Sequence, residues 1–506
     1  MSDQQTTVAT NSSTVAVDDK TLIAETKAEL KAHLPLDFEE TVWKDVLERV
    51  QVRAKEIQSL GSAAIPQVHI SKLQQNPSHD DPEMLLLREE IHRAGVVVIR
   101  GVFDQAQVEQ WNQDLQEYIH KNDYIQVAAA ARNNGQDNIE QYFSSSTGNG
   151  DDDAQKPPQM YDVYWSKAQV QARQHPNLKV ARDYLNQLWR YNNMHDNNNN
   201  NNNNNASEQE NDAETTEQKK ETEWFFDPTQ QIEYCDRVRM RQPGDDTLGL
   251  APHLDAGSIE RWVERQGYQK VYQRLFVRQG QQQQHDPWDG EHRVKAREFP
   301  APNVCTAFRT WQGWTALTRQ GPGDGTLQVV PMLPEAIAYI MLRPLLSDVP
   351  DDDLCGARRA ASLPILPTWH APLLDGLVSI PTVEPGDAVW WHPDVVHAVE
   401  SEHSGDGYSN VLYMGAAPLC DKNARYLQRQ REHFQQHGKT PPDFCQGGIE
   451  VGFTTQKATP DDLSDLGRLQ MGFSTAWSTS SAAMDEKDEG RCQLWEKASR
   501  LLFLDA

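Results

Sequence analysis

The chain has 506 residues, with 48 Lys and Arg against 74 Asp and Glu, a formal net charge of −26. A protein this acidic repels nucleic acid and anionic membrane surfaces, and no local basic patch offsets that charge. There is no run of about 18 apolar residues to span a bilayer and no secretory character in Met1-Ser-Asp-Gln-Gln. The six cysteines are scattered without a CxxC pair, so a cytoplasmic, reducing setting is expected.

The polar, small-residue start reads as a disordered tail, taken to run through residue 37. From Phe38 to Leu60 the apolar positions Val42, Val46, Leu47, Val50, Ala54 and Ile57 recur at helical spacing, with Gly61 as a stop. A second helix is expected from Pro82 to Ala94, ending at Gly95. The run Val96 to Gly101 then reads as a buried strand. Asp104, with Gln107 three residues on, opens a helix whose apolar face is Val108, Trp111, Leu115 and Ile119.

Low-complexity segments follow. Residues 138–153 are Ser, Gly and Asp rich, nine asparagines at 197–205 sit in an insert spanning 195–223, and Gln279 to His285 is a shorter insert. Such stretches bury too little apolar surface to offset their ordering entropy and belong in surface loops. Between about 232 and 420 the pattern changes to short apolar runs punctuated by Gly and Pro: Arg237 to Arg241, Val304 to Trp311, Thr326 to Pro331, Ala388 to Trp391 and Asn410 to Met414. Strands at this spacing suggest a mainly β fold with a sandwich or barrel of the jelly-roll kind. The resulting division is a single domain over 38–425 and a polar, helix-forming C-terminal appendage over 426–506.

The chemistry-bearing feature is His253-Leu-Asp255 with His397 placed 144 residues downstream. Two imidazoles and one carboxylate from distant strands can cap one face of an octahedral iron(II) ion and leave the other face open. The His-x-Asp triplet alone is a weak signal, since it also occurs as His79-Asp-Asp81 and His392-Pro-Asp394. Only His253 both follows a strand-like run and precedes the whole series of strands. Gly386-Asp387 opens the apolar strand that leads to His397, and Pro393 breaks that strand so that the chain can turn. His392 is the rival to His397 and is placed behind the ligands, orienting one of them.

Four stretches carry a family resemblance: Tyr161-Asp-Val-Tyr-Trp-Ser-Lys167, His253-Leu-Asp-Ala-Gly-Ser-Ile-Glu-Arg-Trp262, Phe308-Arg-Thr-Trp-Gln-Gly-Trp314 and Trp391-His-Pro-Asp-Val-Val-His397. From about residue 85 to 425 the chain resembles the iron(II)/2-oxoglutarate dioxygenases of the phytanoyl-CoA hydroxylase-like group, and more closely the family called domain of unknown function 1479. The resemblance implies a double-stranded β-helix, cupin-like core with helical additions at both ends. It also implies Fe(II) on His253, Asp255 and His397, 2-oxoglutarate as co-substrate and dioxygen, and is silent on the substrate; the expected activity is hydroxylation of a small organic substrate. The alternative is a non-catalytic relative that uses the pocket for binding.

The sequence departs from this pattern in one respect. Such enzymes commonly anchor the far carboxylate of 2-oxoglutarate with an Arg shortly after the second histidine, yet residues 398–424 contain only Lys422 as a cation. Arg309 is the expected substitute, with Asn410 or Tyr413 as hydrogen-bond donors. The alternating Arg237, Arg239 and Arg241 form a second possible cradle on one strand face. Tyr161 to Lys167 reads equally as a pocket wall or as a helix start at Ser166.

Overall fold

The computed structural model describes residues 18–75, 80–133, 158–194, 222–246, 249–255, 257–277, 285–296, 305–436, 438–444, 448–475, 477 and 489–503. The expected loop at 138–153, almost all of the Asn-rich insert and most of the Gln279 to His285 insert lie outside these residues. The architecture is mixed helix and sheet rather than mainly β. Two sheets form its centre.

The larger sheet has seven strands in the order β1-β2-β11-β7-β13-β5-β3. These are β1 (Gln67–His69), β2 (Val96–Arg100), β3 (Met160–Tyr161), β5 (Cys235–Arg241), β7 (Gln312–Ala316), β11 (Ala388–Trp391) and β13 (Ser409–Met414). The smaller sheet runs β10-β8-β12-β6-β9, from β6 (His253–Leu254), β8 (Leu327–Val329), β9 (Leu363–Pro364), β10 (Val378–Ser379) and β12 (His397–Val399). A separate pair joins β4 (Asp227–Ile232) to β14 (Ala417–Leu419). The run Val304 to Trp311, expected as a strand, does not form one: its described part is irregular, and the strand begins at Gln312. Trp311 makes only an isolated bridge, to Ala416.

Helices frame the sheets where the apolar periodicity places them. Lys44–Leu60 buries Val46, Val50, Ala54 and Ile57, and Gly61 ends it at φ 56°. Asp81 caps Pro82–Ala94 by accepting from the Glu83 N–H, and Gly95 terminates that helix in the left-handed region. A side chain at Gly95 would also meet Val395 and Leu333 at 2.6 and 2.8 Å, so the chain's close approach there requires glycine. Asp104 caps Gln105–Lys121, which buries Val108, Trp111, Leu115 and Tyr118. Ser166 and Gln169 close a capping box at the start of Lys167–Arg173, so the helix start accounts for Ser166.

Two expectations about the chain ends change. The tail was expected to be disordered through residue 37, yet Asp19–Ala32 is a helix that buries Ile23 and Leu30; its Lys27 ammonium donates to the carbonyls of Pro350 and Asp353 at 2.7 and 2.9 Å. The apolar residues there are too few to stand out in a polar segment. At the other end, the helices Asp421–Gln435 and Glu489–Phe503 share a core with the central strands. Leu427, Phe434, Leu501 and Leu502 pack in one apolar cluster with Trp165, Ile232, Tyr234, Cys235 and Leu419. The helix Asp421–Gln435 also crosses the expected boundary at 425 without interruption.

Candidate metal centre and its cavity

β6 and β12 are antiparallel neighbours, and His253 and His397 are direct cross-strand partners. Side chains so paired stand on the same face of a sheet, and here the ring centroids are 4.3 Å apart. Asp255 lies two residues beyond His253, where strand alternation returns to that face. Each histidine places Nδ1 within hydrogen-bond distance of a main-chain carbonyl, His253 to Ala251 at 2.7 Å and His397 to Val395 at 3.0 Å. Donation from Nδ1 leaves the Nε2 lone pair of each ring for a ligand. Both Nε2 atoms turn to the Asp255 carboxylate, 3.4 Å from Oδ1 and 3.4 Å from Oδ2 respectively. Ligand atoms of the three residues all fall within 4.8 Å of one another.

Electrostatics follow from that convergence. Burial works against the Asp255 charge, but the two imidazoles more than compensate and hold its carboxyl well below the usual range. Burial likewise lowers His253, and Asp255 reverses the sign, leaving it raised. Supporting residues fix the carboxylate from outside. The Gln312 amide donates to Asp255 Oδ2 at 2.7 Å, and the Arg261 guanidinium donates to its main-chain oxygen at 2.8 Å. Gln312 gave no sequence signal, being one polar residue within an aromatic run. Arg261 likewise stands in a stretch that carries the family resemblance, with no spacing that marks it as a site residue.

The rival His-x-Asp triplets have other work. Asp81 is a helix cap. Asp394 is buried between Arg261 and Arg293, accepts from Tyr272, and lies 2.7 Å from Arg261 Nη1. His392 touches none of the three convergent residues through a hydrogen bond. It stacks on Trp189 at 4.7 Å, sets Nε2 3.1 Å from the Pro287 carbonyl and accepts from the Asp394 N–H. Its expected role of orienting a ligand is therefore replaced by a packing role, with indirect reach through Asp394 and Arg261.

A cavity of about 180 Å³ opens beside the three residues and is lined from both sheets. Its wall includes Arg237, Arg239, Arg309, Trp314, Trp391 and Tyr413. Asn410 is not part of it: on the alternate face of β13, its amide donates to Asn112 at 3.0 Å. The expectation that Asn410 meets a ligand is corrected by the strand's two-residue period.

The three arginines of β5 share a face but not a fate. Arg241 is consumed by Asp245 and the carbonyls of Gly325, Glu400 and Ser401. Arg237 lies over the Phe444 ring at 4.9 Å, and its Nε is 3.4 Å from Asp236. Arg239 is 2% exposed, and its Nε and Nη2 are buried with no hydrogen-bond partner.

Register fixes where each cation stands. Along β13, Val411 pairs with Arg239 and Ala316, and Tyr413 pairs with Trp314. Further on, Ala416 bridges Trp311, and the side chain of Arg309 passes against Gly415, where a Cβ would lie 3.0 Å from its Cδ. Gln312, which touches Asp255, thus falls between the two levels. Arg239 stands at the level of Ala316, four residues beyond Gln312 and roughly 13 Å along the strand, and Arg309 stands three residues before Gln312. Arg239 is buried, whereas Arg309 is part-exposed.

Comparison with known proteins places the chain. It is 34% identical to the uncharacterized protein YbiU of Escherichia coli (strain K12) over 467 residues, covering 91% of this chain and 98% of that one. The crystal structure of hypothetical protein JW0805 from Escherichia coli superposes with a TM-score of 0.71 at 33% identity, covering 90% of this chain and 98% of that one. GlcNAc inducible gene 2, GIG2 (DUF1479), from Candida albicans superposes at 0.69 with 26% identity, covering 95% and 94%. The Gig2-like family model matches residues 19–473. The chain belongs to the Gig2-like family.

Proposed function

We propose that this protein is a non-haem iron(II)/2-oxoglutarate-dependent oxygenase that hydroxylates a small organic molecule. The observation that carries the reading is the convergence of His253 Nε2, His397 Nε2 and the Asp255 carboxylate at one end of a cavity. The donor set fits iron(II): two imidazole Nε2 atoms and one carboxylate, all contributed from one side. The strand orders β5-β13-β7-β11 and β6-β12-β8-β10 support a double-stranded β-helix of the phytanoyl-CoA hydroxylase-like kind. Bound there, iron(II) supplies dioxygen activation coupled to decarboxylation of the co-substrate, so that R–H, O2 and 2-oxoglutarate give R–OH, succinate and CO2.

The chain's own residues bind and orient. Gln312 and Arg261 hold Asp255 in place before any ligand arrives. Arg239 fits the far carboxylate of 2-oxoglutarate better than Arg309 does, because it lies deep, is desolvated and lacks a protein partner for Nε and Nη2. Tyr413 lies between Arg239 and the metal ligands. Burial raises its phenol pKa against the opposing effect of Arg239 and Arg237, so it remains a neutral donor to that acid. Removing an Arg fork from a buried carboxylate costs on the order of 1.5–3 kcal/mol.

Anaerobic titration tests this. Iron(II) followed by 2-oxoglutarate gives a visible charge-transfer band, and Arg239→Gln weakens 2-oxoglutarate roughly ten- to a hundredfold without loss of iron. Iron binding without the band removes 2-oxoglutarate from the reading and leaves a pocket that binds but does not oxygenate.

A further inference from the structure

The pocket carries more positive charge than one co-substrate needs. Its lining holds three arginines and two carboxylates, Asp236 and Asp255. Asp255 is committed to the metal site, and Asp236 is engaged by Arg237 through its Nε and its main-chain N–H, the latter at 2.7 Å. Of the two acids of 2-oxoglutarate, one meets the metal and the other Arg239. That leaves Arg309.

Arg309 is placed for a ligand rather than for the fold. Its guanidinium lies over the Tyr234 ring, 5.1 Å from the centroid, and no carboxylate among the described residues comes within ion-pair distance of it. Tyr234 in turn is fixed, its hydroxyl 3.2 Å from Asp443 Oδ2, so the stacking surface is rigid. Gly415 opens the path for the arginine stem, since a methyl group there would press on Cδ. A guanidinium whose one face is stacked keeps its in-plane donors free for a planar or tetrahedral acid. Arg309 lines the same cavity as the three convergent residues and is part-exposed, so a molecule bound there after the co-substrate can reach it. The whole molecule carries −26, and a lining cation with no salt-bridge partner among the described residues favours anions in the cavity against the protein's own general field.

We propose that the substrate is an organic acid, a carboxylate or phosphate ester, whose acidic group seats on Arg309 and thereby directs a neighbouring C–H bond toward the His253, Asp255 and His397 centre. This rests on the oxygenase reading for the word substrate. The anion site itself does not, and the two fail separately.

The test is calorimetric titration, without oxygen, of the iron-loaded protein with and without saturating 2-oxoglutarate. The probes are butyrate, benzoate and phenyl phosphate, each against its uncharged counterpart: butyramide, benzamide and phenol. The expected result is that at least one acid binds ten times more tightly than its neutral counterpart. Arg309→Gln removes that preference, Arg309→Lys restores part of it, and 2-oxoglutarate affinity stays within about twofold in both. A carboxylate preference and a phosphate preference each support the proposal and tell the two sources apart. Equal binding of acids and neutral counterparts, or an acid preference that survives Arg309→Gln in a folded protein, overturns it. So does an Arg309→Gln protein that loses 2-oxoglutarate, because Arg309 is then the co-substrate's anchor. Failure of the wild-type protein to bind 2-oxoglutarate defeats the oxygenase reading alone, since the acid preference is read in the arm without it.

Discussion

His392 and His397 are five residues apart and both buried, yet the environment assigns them opposite tasks. Burial drives the His392 imidazole down to about 3, keeping it neutral between Trp189 and Trp288. His397 instead presents Nε2 to Asp255. Substituting His253, Asp255 or His397 with Ala is expected to abolish iron(II) binding, measured by metal analysis after desalting. His392→Asn is expected to retain the metal and lose on the order of 2–4 kcal/mol of stability from the packed core. The same variant carries a pH signature. A histidine with an ordinary unfolded pKa near 6.5 and a folded value near 3 takes up its proton only on unfolding. The wild-type protein therefore loses stability progressively as pH falls from about 6.5 toward 3, by up to about 1.4 kcal/mol per pH unit from this residue. Denaturation midpoints at pH 7 and pH 5 should fall less in His392→Asn than in the wild type; an equal fall would show that His392 titrates normally.

At the scale of elements, strands and helices differ in how far sequence alone reveals them. The helix Pro82–Ala94 with its Gly95 stop, and the Asp104 start of the next helix, were readable because capping and periodicity are local. The convergence of His253, Asp255 and His397 was readable because metal-ligand chemistry restricts residue type. What could not be read was register, which depends on pairing between strands far apart in sequence. Only the pairing of β5 with β13, and of β13 with β7, sets Arg239 and Arg309 at opposite sides of the Gln312 level and turns Asn410 away from the cavity. The same limit hid the link from Asp394 through Arg261 to the Asp255 carbonyl, which joins the segment beyond β11 to the segment beyond β6. Arg261→Ala leaves the buried Asp394 charge with fewer partners, which costs about 3–5 kcal/mol when one half of a buried ion pair is lost. Urea denaturation should report that loss, and iron(II) affinity should fall with it. A variant of unchanged stability would mean that Arg293 and Tyr272 suffice for Asp394.

For the molecule as a whole, the two ends were the least legible part of the chain. Apolar residues spaced through the polar segments 19–32 and 421–503 were too sparse to outweigh their charged neighbours, although tertiary packing buries them. No helix among the described residues is long and apolar enough to cross a membrane. Truncation after residue 420 is expected to expose the apolar cluster around Trp165, Tyr234 and Leu419 and to yield aggregated protein. Deletion of 197–220 with a short Gly/Ser bridge is expected to shift the melting temperature by no more than about 2 °C, as that tract offers no apolar face to bury. Scanning calorimetry of the deletion variant, and light scattering of the truncation, check the two.

The cross-strand pairing of His253 with His397 has a consequence for folding. Sliding β12 past β6 by one residue would turn one imidazole to the opposite face of the sheet, so a divalent ion can be gripped in a single alignment only. β6 and β9 have two residues each and β12 three, and strands this short make few main-chain bonds with which to resist such sliding. An iron(II) ion held by these residues as proposed would act as a rivet for the smaller sheet, linking metal affinity to the stability of the alignment. Amide hydrogen exchange at Leu254, His397 and Ala398 should slow when iron(II) is added without oxygen, with little change at Val97 and Val98 in the larger sheet. Uniform slowing across both sheets would instead mark the ion as a stabiliser of the whole molecule.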